Sequence, residues 1–399
     1  MITNTVASLL VVVSASTYKD AAWKEVVDTL VEKHRAEMTV NVLLSAPKAE
    51  DSLVGIREHS PRYLAFVMTP AEVNADACMA LKRVVASIDD DPYDDAVWGV
   101  VTGPTAADAK RIAASKGPVA FTTALSTTGL GMDIVPGEVM MLSDANPPGC
   151  WKTKDAKGKV AENRREAGDM SDLFAAGWNA DPQLILTSSH ATERNLEMPF
   201  SRGNLLPKDG RFVVTAGTAL AAPKNEKVWI AAGNCLIANN RYEQSMVMTA
   251  LGWGRVNQFV GYIKETWFGE IGWGVWDYFA TYRLPLAECW YFANANLVRT
   301  LPATAEKSKE RYGKLWDWDG TMFYGDPVLK VALPPKAPPQ WREGAKPLGI
   351  LFDRAEKGRR LVKAPEGFEV FVADDFALVT KWPDGLSADW RNQLVFGTK

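Results

Sequence analysis

The chain has 399 residues, 47% of them hydrophobic and 23% charged, with a formal net charge of −3. That is the composition of a soluble globular protein long enough for two or three domains. With no basic block, nucleic acid and anionic membrane surfaces are not expected as partners. Four cysteines, at 78, 150, 235 and 289, are too few and too scattered for a disulfide scaffold or a zinc site built on close CxxC pairs. A free reactive thiol is permitted, and no metal or cofactor is expected.

Apolar β-prone runs alternate with amphipathic stretches from the start. Strands are expected over 9–14, 39–44, 63–67 and 96–102, and helices over 21–34, 51–58, 77–87 and 105–115, the last opened by a Thr105 cap. Such alternation implies parallel strands joined by crossover helices. The first apolar run, 6–13, is too short to span a bilayer and lacks a basic segment before it, so it reads as a strand and no signal peptide is visible. A removed leader fits this start as well as a cytoplasmic origin does. Asp89-Asp90-Asp91 reads as a solvated turn rather than a metal site, because contiguous aspartates diverge unless a defined loop gathers them.

A further strand over 118–123 is expected to end in a loop of small residues, 122–131, that shapes a cleft. That loop lacks both the GxxxxGK[ST] and the GxGxxG spacing, which argues against a nucleotide site. From 137 to 168 the chain is polar and turn-rich and reads as an exposed excursion. Leu184-Ile185-Leu186 then runs into Thr187-Ser188-Ser189-His190, and Val228-Trp229-Ile230-Ala231-Ala232 delivers Gly233-Asn234-Cys235. The carboxyl ends of strands are where α/β sheets present chemistry, and two parallel strands with these endings would set an imidazole beside a thiol, the outline of a cysteine–histidine dyad. Of three histidines, only His190 ends an apolar run. Between the two lies an insert, 190–227, with a hairpin expected around Lys208-Asp209-Gly210, serving as a lid or as an edge cover. Tryptophans at 253, 267, 273, 276 and 290 read mainly as core. A proline-dense linker over 334–341 precedes a tail of short apolar runs, the pattern of a small β module.

His190-Ala191-Thr192-Glu193, Ala232-Gly233-Asn234-Cys235, the helix-like 245–251, Gln258-Phe259-Val260-Gly261, Trp267 with the 273–276 cluster, and Tyr324-Gly325-Asp326-Pro327 occur in an order that resembles the gingipain family of cysteine peptidases over about residues 8–333. The resemblance implies an α/β caspase-like, Rossmann-like three-layer sandwich with mostly parallel sheets, followed by the C-terminal β module. The expected division is 1–116 as an N-terminal α/β subdomain, 117–333 as the catalytic subdomain, 334–341 as linker and 342–399 as the β module. The implied activity is hydrolysis of a polypeptide substrate after Lys or Arg, in an exported, periplasmic or extracellular setting. Cys235 would be the nucleophile, His190 the base, and the backbone amides of Cys235 and Ala191 the oxyanion donors. Ala191 stands where the family has Gly, and the family's upstream orienting glutamate has no counterpart in 123–126, which leaves Glu193 as an alternative orienter. Asp133 occupies the order position of the acidic pocket residue, with Glu138 and Asp144 competing, and Trp267 would flank the bound side chain. A catalytically silent binding domain and a cysteine-dependent amidase or transpeptidase are the rival readings.

Overall fold

A computed structural model describes residues 8–45, 49–117, 121–266, 268–352, 358–387 and 389–398. The N-terminal third alternates as expected: β1 (Ser8–Ser14), α1 (Ala15–Lys19), α2 (Ala21–His34), β2 (Thr39–Ser45), α3 (Leu53–His59), β3 (Tyr63–Val67), α4 (Ala75–Val85), β4 (Val97–Val101) and α5 (Ala106–Ala114). Side-chain caps start the longer helices, Asp20 on α2, Asn74 on α4 and Thr105 on α5, each satisfying amides that a first turn leaves open. The middle of the chain supplies β5 (Ala124–Ser126), β6 (Val139–Leu142), β7 (Cys150–Lys154), β8 (Val160–Arg164), α6 (Ser171–Asn179) and β9 (Leu184–Thr187). Then come β10 (Ala191–Thr192), β11 (Asn195–Glu197), β12 (Asn204–Lys208), β13 (Arg211–Val214), β14 (Lys227–Ala231), α7 (Met246–Leu251) and β15 (Val256–Tyr262). Helices α8 (Glu270–Ala280), α9 (Leu286–Thr300) and α10 (Lys309–Gly320) lead to β16 (Thr321–Tyr324), and the tail holds β17 (Leu348–Leu351), β18 (Arg359–Lys363), β19 (Glu369–Val372), β20 (Phe376–Lys381) and β21 (Val395–Thr398).

One twelve-stranded sheet, ordered β2-β1-β3-β4-β16-β15-β14-β9-β5-β6-β7-β8, organises the molecule. Its first four strands are mutually parallel, and β16 continues their direction beside β4. β15 runs antiparallel to β16, and β14, β9, β5 and β6 follow β15. Apart from the antiparallel margin β7–β8, the sheet therefore consists of two parallel halves pointing opposite ways, with their carboxyl ends on opposite edges. Strands buried on both faces need helices on both faces: β1, β4, β14 and β15 are almost wholly buried. Right-handed crossovers put α2 and α4 on opposite faces, because the chain moves across the sheet in opposite directions at those steps. α5 packs on α2, while α9 and α10 pack with α4 through Lys82–Asn294 and Arg83–Asp319 contacts. The result is the expected three-layer α/β sandwich with a mostly parallel sheet.

Where sequence and structure differ, the reason is local. The strand expected at 118–123 is found at Ala124–Ser126, between β9 and β6; Thr122 instead gives its amide and hydroxyl to Gln183 Oε1, and residues 118–120 lie outside the described set. The polar 137–168 stretch contains three strands. β8 alternates exposed and half-buried residues at the sheet margin, where polar side chains cost little. The acidic turn is only partly solvated: Asp94 and Asp95 are buried, and Asp89, Asp95 and Asp375 bring carboxylate oxygens within 4.8 Å of one another against the C-terminal module. Burial and the neighbouring Asp89, Asp375 and Asp374 push Asp91 up to about 6. In that module β17-β20-β19 form one small sheet and β18-β21 another. The module meets α9 through Phe376 on Tyr291 and Phe292.

Candidate active site

β9 and β14 are neighbours in register, from Leu184 opposite Val228 to Thr187 opposite Ala231, and Ala232 N donates to Thr187 O at 2.8 Å just past the ladder. Adjacent strands lie about 4.8 Å apart, so the segments that leave them, 188–190 and 232–235, start side by side at one edge. Gly233 is required by that closeness, since a Cβ there would stand 2.3 Å from Ser188 Oγ. Wholly buried Asn234 stitches the two segments together. Thr187 Oγ1 donates to Asn234 Oδ1 at 2.6 Å, Asn234 Nδ2 donates to Ser189 O at 2.8 Å, and Trp229 Nε1 secures Thr187 Oγ1 at 2.9 Å.

Cys235 is half-buried. Thr266 N, just past β15, donates to its Sγ at 3.3 Å, with Thr266 Oγ1 at 3.5 Å. The chain reverses immediately afterwards: Leu236 has φ +58°, a left-handed conformation worth about 1–2 kcal/mol of strain for a non-glycine residue. Leu236 N then donates to Lys264 O and Ala238 N to Tyr262 O. Cys235 thus sits at the apex of a tight turn, and among the described residues its amide has no hydrogen-bond partner.

His190 is exposed, and among the described residues its ring makes no hydrogen bond. The other two histidines are spent: His34 Nε2 lies 2.7 Å from Asp326 Oδ2, and His59 Nδ1 bonds Gly55 O at 2.8 Å. Glu197 N donates to His190 O, which makes His190–Glu197 a hydrogen-bonded pair of the β10–β11 hairpin. By the antiparallel alternation Ala191, opposite Leu196, is then a non-bonded pair whose amide faces away from β11. Ala191 is absent from the positive-φ residues, so alanine serves here without strain. The insert forms a four-stranded sheet, β10-β11-β12-β13, whose expected hairpin turns at Asp209 and Gly210, both with positive φ.

Other candidates fall elsewhere. Glu193 is buried and its Oε1 accepts from Asn239 Nδ2 at 3.3 Å, so its carboxylate is committed to Asn239 and not to His190. Asp133 is exposed in the 127–138 loop as that loop crosses toward the amino end of β6, and its charge acts on Arg283, whose pKa burial lowers and Asp133 opposes. Arg283 follows the carboxyl end of α8, whereas the start of α8 abuts the Cys235 edge, where a Cβ on Gly272 would meet Ala232 O at 2.1 Å. Asp133 and Cys235 thus sit toward opposite ends of an eleven-residue helix about 16 Å long. Asp144, two residues past β6, lies on the same edge as His190 and Cys235, and its Oδ1 accepts from Phe200 N at 2.7 Å. Glu138 precedes β6, on the far edge. Trp267 lies outside the described residues.

The start of α8 is held by a buried pair that sequence reasoning missed, as it missed Asn234 and Thr266. Ile271 N donates to Asp317 Oδ2 at 2.8 Å, Gly272 N to Tyr262 Oη at 3.0 Å, and Tyr262 Oη to Asp317 Oδ2 at 3.1 Å. Burial raises the pKa of both Asp317 and Tyr262. All four cysteines are free. Burial pushes Cys78 up to about 12 and Cys289 well above the usual thiol value, so neither competes with Cys235 as a nucleophile; Cys150 is half-buried on β7. The carboxylate trio Asp89, Asp95 and Asp375 is the one group among the described residues close enough to share a cation.

No protein-family model matches the chain, and no curated protein matches it by sequence. Two solved structures do match its fold. The crystal structure of the Arg specific cysteine proteinase gingipain R (RgpB) superposes with a TM-score of 0.53 at 11% identity, over 97% of this chain and 94% of that one. The complex of the Porphyromonas gingivalis RgpB pro- and mature domains does so with a TM-score of 0.52 at 10% identity, over 98% and 99%. The chain has the gingipain fold. Both matches cover nearly the whole of this chain. Among the described residues no helix is long and apolar enough to cross a membrane.

Proposed function

We propose that the protein is a cysteine endopeptidase acting through Cys235 and His190. The reading rests on one observation: two adjacent in-register strands of a peptidase-like sheet lead into a histidine whose ring and a half-buried cysteine whose amide have, among the described residues, no hydrogen-bond partner. A thiol becomes a strong nucleophile on losing its proton, and a neighbouring imidazole is the minimum activation. Cys235 Sγ gives its proton to His190 and attacks the scissile carbonyl. The oxyanion that forms accepts from the Cys235 and Ala191 amides; loss of one such donor costs about 100- to 1000-fold in rate. Collapse breaks the C–N bond, the leaving amine takes the proton from His190, and a water deprotonated by His190 hydrolyses the thioester. The hydrogen bond from Thr266 N supports negative charge on the sulfur.

Cleavage after Lys or Arg is supported by the arginine specificity stated for gingipain R and by the carboxylate of Asp144 on the same edge as the dyad; a carboxylate selects such side chains through charge-assisted hydrogen bonds. That no carboxylate among the described residues bonds the His190 ring favours a second reading, a silent binding domain. Incubation of wild type and Cys235→Ala with a peptide library, with new termini read by mass spectrometry, separates them. Dominant cleavage after Lys or Arg, absent from Cys235→Ala, is expected. Asp144→Asn should lower kcat/KM on basic substrates by about 2–4 kcal/mol of transition-state binding, and Asp133→Asn should leave it within about threefold. Dyad-dependent cleavage after Asp or apolar residues would remove the acidic pocket, and no cleavage by wild type would favour the silent domain.

A further inference from the structure

We propose a second ligand site on the opposite edge of the sheet, a crevice between β1 and β3 that takes a small organic cation, a primary ammonium or guanidinium on a compact apolar body. After β1 the chain moves outward to β2 and then returns past β1 to β3, so this is the switch point of the first half. Open α/β sheets bind ligands at the carboxyl ends of strands at such points. A cavity of about 650 Å³ occupies it, within the range of small-molecule sites. Val13, Phe66 and Leu81 supply apolar walls, and Glu50, Glu72 and Asp76 supply three carboxylates.

Among the described residues no Lys, Arg or His lines the crevice, and none of the three carboxylates has an ion-pair partner. Glu72 accepts from Ser14 Oγ at 2.6 Å, from Thr17 Oγ1 at 2.8 Å, and from Thr69 N at 2.7 Å and Thr69 Oγ1 at 3.0 Å. Burial works against its charge, but these donors outweigh burial and hold its pKa below the usual carboxylate value. The charge is thus fixed in place and, among the described residues, uncompensated by any cation. Ser52 lines the same cavity and is only 6% exposed, yet its Oγ has no partner among the described residues. A buried hydroxyl left unpaired is costly unless a ligand completes it. A cleft walled by one sign of charge concentrates the opposite sign, and the apolar walls favour a hydrocarbon body over a bare metal ion.

Calorimetry on the full chain tests this, with phenethylamine and agmatine as probes and phenethyl alcohol as the neutral counterpart. The amine should bind about tenfold or more tighter than the alcohol, the factor that one charge-assisted contact of ~1.4 kcal/mol supplies. Glu72→Gln should weaken it about tenfold and the exposed pair Glu50→Gln with Asp76→Asn about threefold or more, the latter a test that survives if Glu72→Gln fails to fold. Asp144→Asn, which removes the acidic group of the dyad edge, should leave binding unchanged and so separates this site from the substrate cleft. Equal affinity for amine and alcohol, affinity indifferent to the exposed pair, loss of binding in Asp144→Asn, or no binding of either cation at about 10 mM, far weaker than a ~1 mM site, would overturn the proposal.

Discussion

The two parallel halves of the central sheet present opposite edges and treat their polar groups differently. At the carboxyl edge of β1 and β3, Glu72 is wrapped in hydroxyl and amide donors, so its charge is settled by the fold itself. At the carboxyl edge of β9 and β14, the supporting groups are satisfied while the groups proposed to react are not. Asn234, Thr187 and Trp229 hydrogen-bond among themselves, yet the Cys235 amide and the His190 ring have no partner among the described residues. An unpaired polar group costs about 1–3 kcal/mol when buried and far less where water reaches it. A half-buried edge can therefore keep donors in reserve for a reaction. The difference separates an edge whose charge the fold itself holds from one that, on the proposed function, would receive a transition state.

The largest expected effect comes from removing the base. His190→Ala should lower kcat/KM for peptide hydrolysis about 10²- to 10⁴-fold, the usual worth of a positioned acid–base group, while leaving the melting temperature unchanged because the ring is exposed. A melting temperature that falls with activity would assign the ring to structure and break the contrast with His34. Asn234→Ala should do both: it leaves Thr187 Oγ1 and Ser189 O short of a partner, costing about 1–3 kcal/mol of stability, and it loosens His190 relative to Cys235, lowering turnover. Circular dichroism melts alongside initial rates read the two losses separately.

The smallest effect concerns the joint between the halves. Asp326, past the strand where the sheet reverses direction, is wholly buried between Lys33 Nζ at 2.5 Å and His34 Nε2 at 2.7 Å. Burial would raise its pKa, but the His34 hydrogen bond and the Lys33 charge outweigh burial and bring it from 3.8 to about 2. A folded pKa below the unfolded one contributes stability that is complete above the unfolded value and is lost as pH falls through the folded value. Wild type should therefore lose about 2 kcal/mol between pH 4 and pH 2 through this group. Asp326→Asn should flatten that part of the stability–pH curve, as measured by urea melts; an unchanged slope would place the acid sensitivity elsewhere.

Much of this architecture was legible in the sequence because it rests on periodicity. The runs 184–186 and 228–232 are apolar enough to be buried on both faces, and each breaks into polar residues where its strand ends, so the two adjacent strands β9 and β14 announced themselves. β8 was missed because a marginal strand tolerates the same polar letters as a loop, and β5 was set too early because Thr122 and Thr123 have strand-forming side chains but spend their hydrogen bonds on Gln183 and Leu184. Asn234 and Thr266 carried no signal, since each acts on a partner remote in sequence. Order along the chain does not by itself say which carboxylate lies at the Cys235 edge. A loop that crosses the sheet from the end of β5 to the start of β6 carries Asp133 away from the dyad, whereas Asp144, after β6, returns to it. The glutamate expected to orient His190 is committed to Asn239, and the ring makes no hydrogen bond among the described residues.

Alkylation of the native protein by iodoacetamide, mapped cysteine by cysteine in wild type and in His190→Ala, tests the pairing of Cys235 with His190 most directly. Cys235 should react first, with Cys78 and Cys289 inert, and His190→Ala should slow Cys235 by about tenfold or more while leaving the half-buried Cys150 unchanged. A Cys235 that reacts no faster than Cys150, or at the same rate with and without His190, would contradict the dyad.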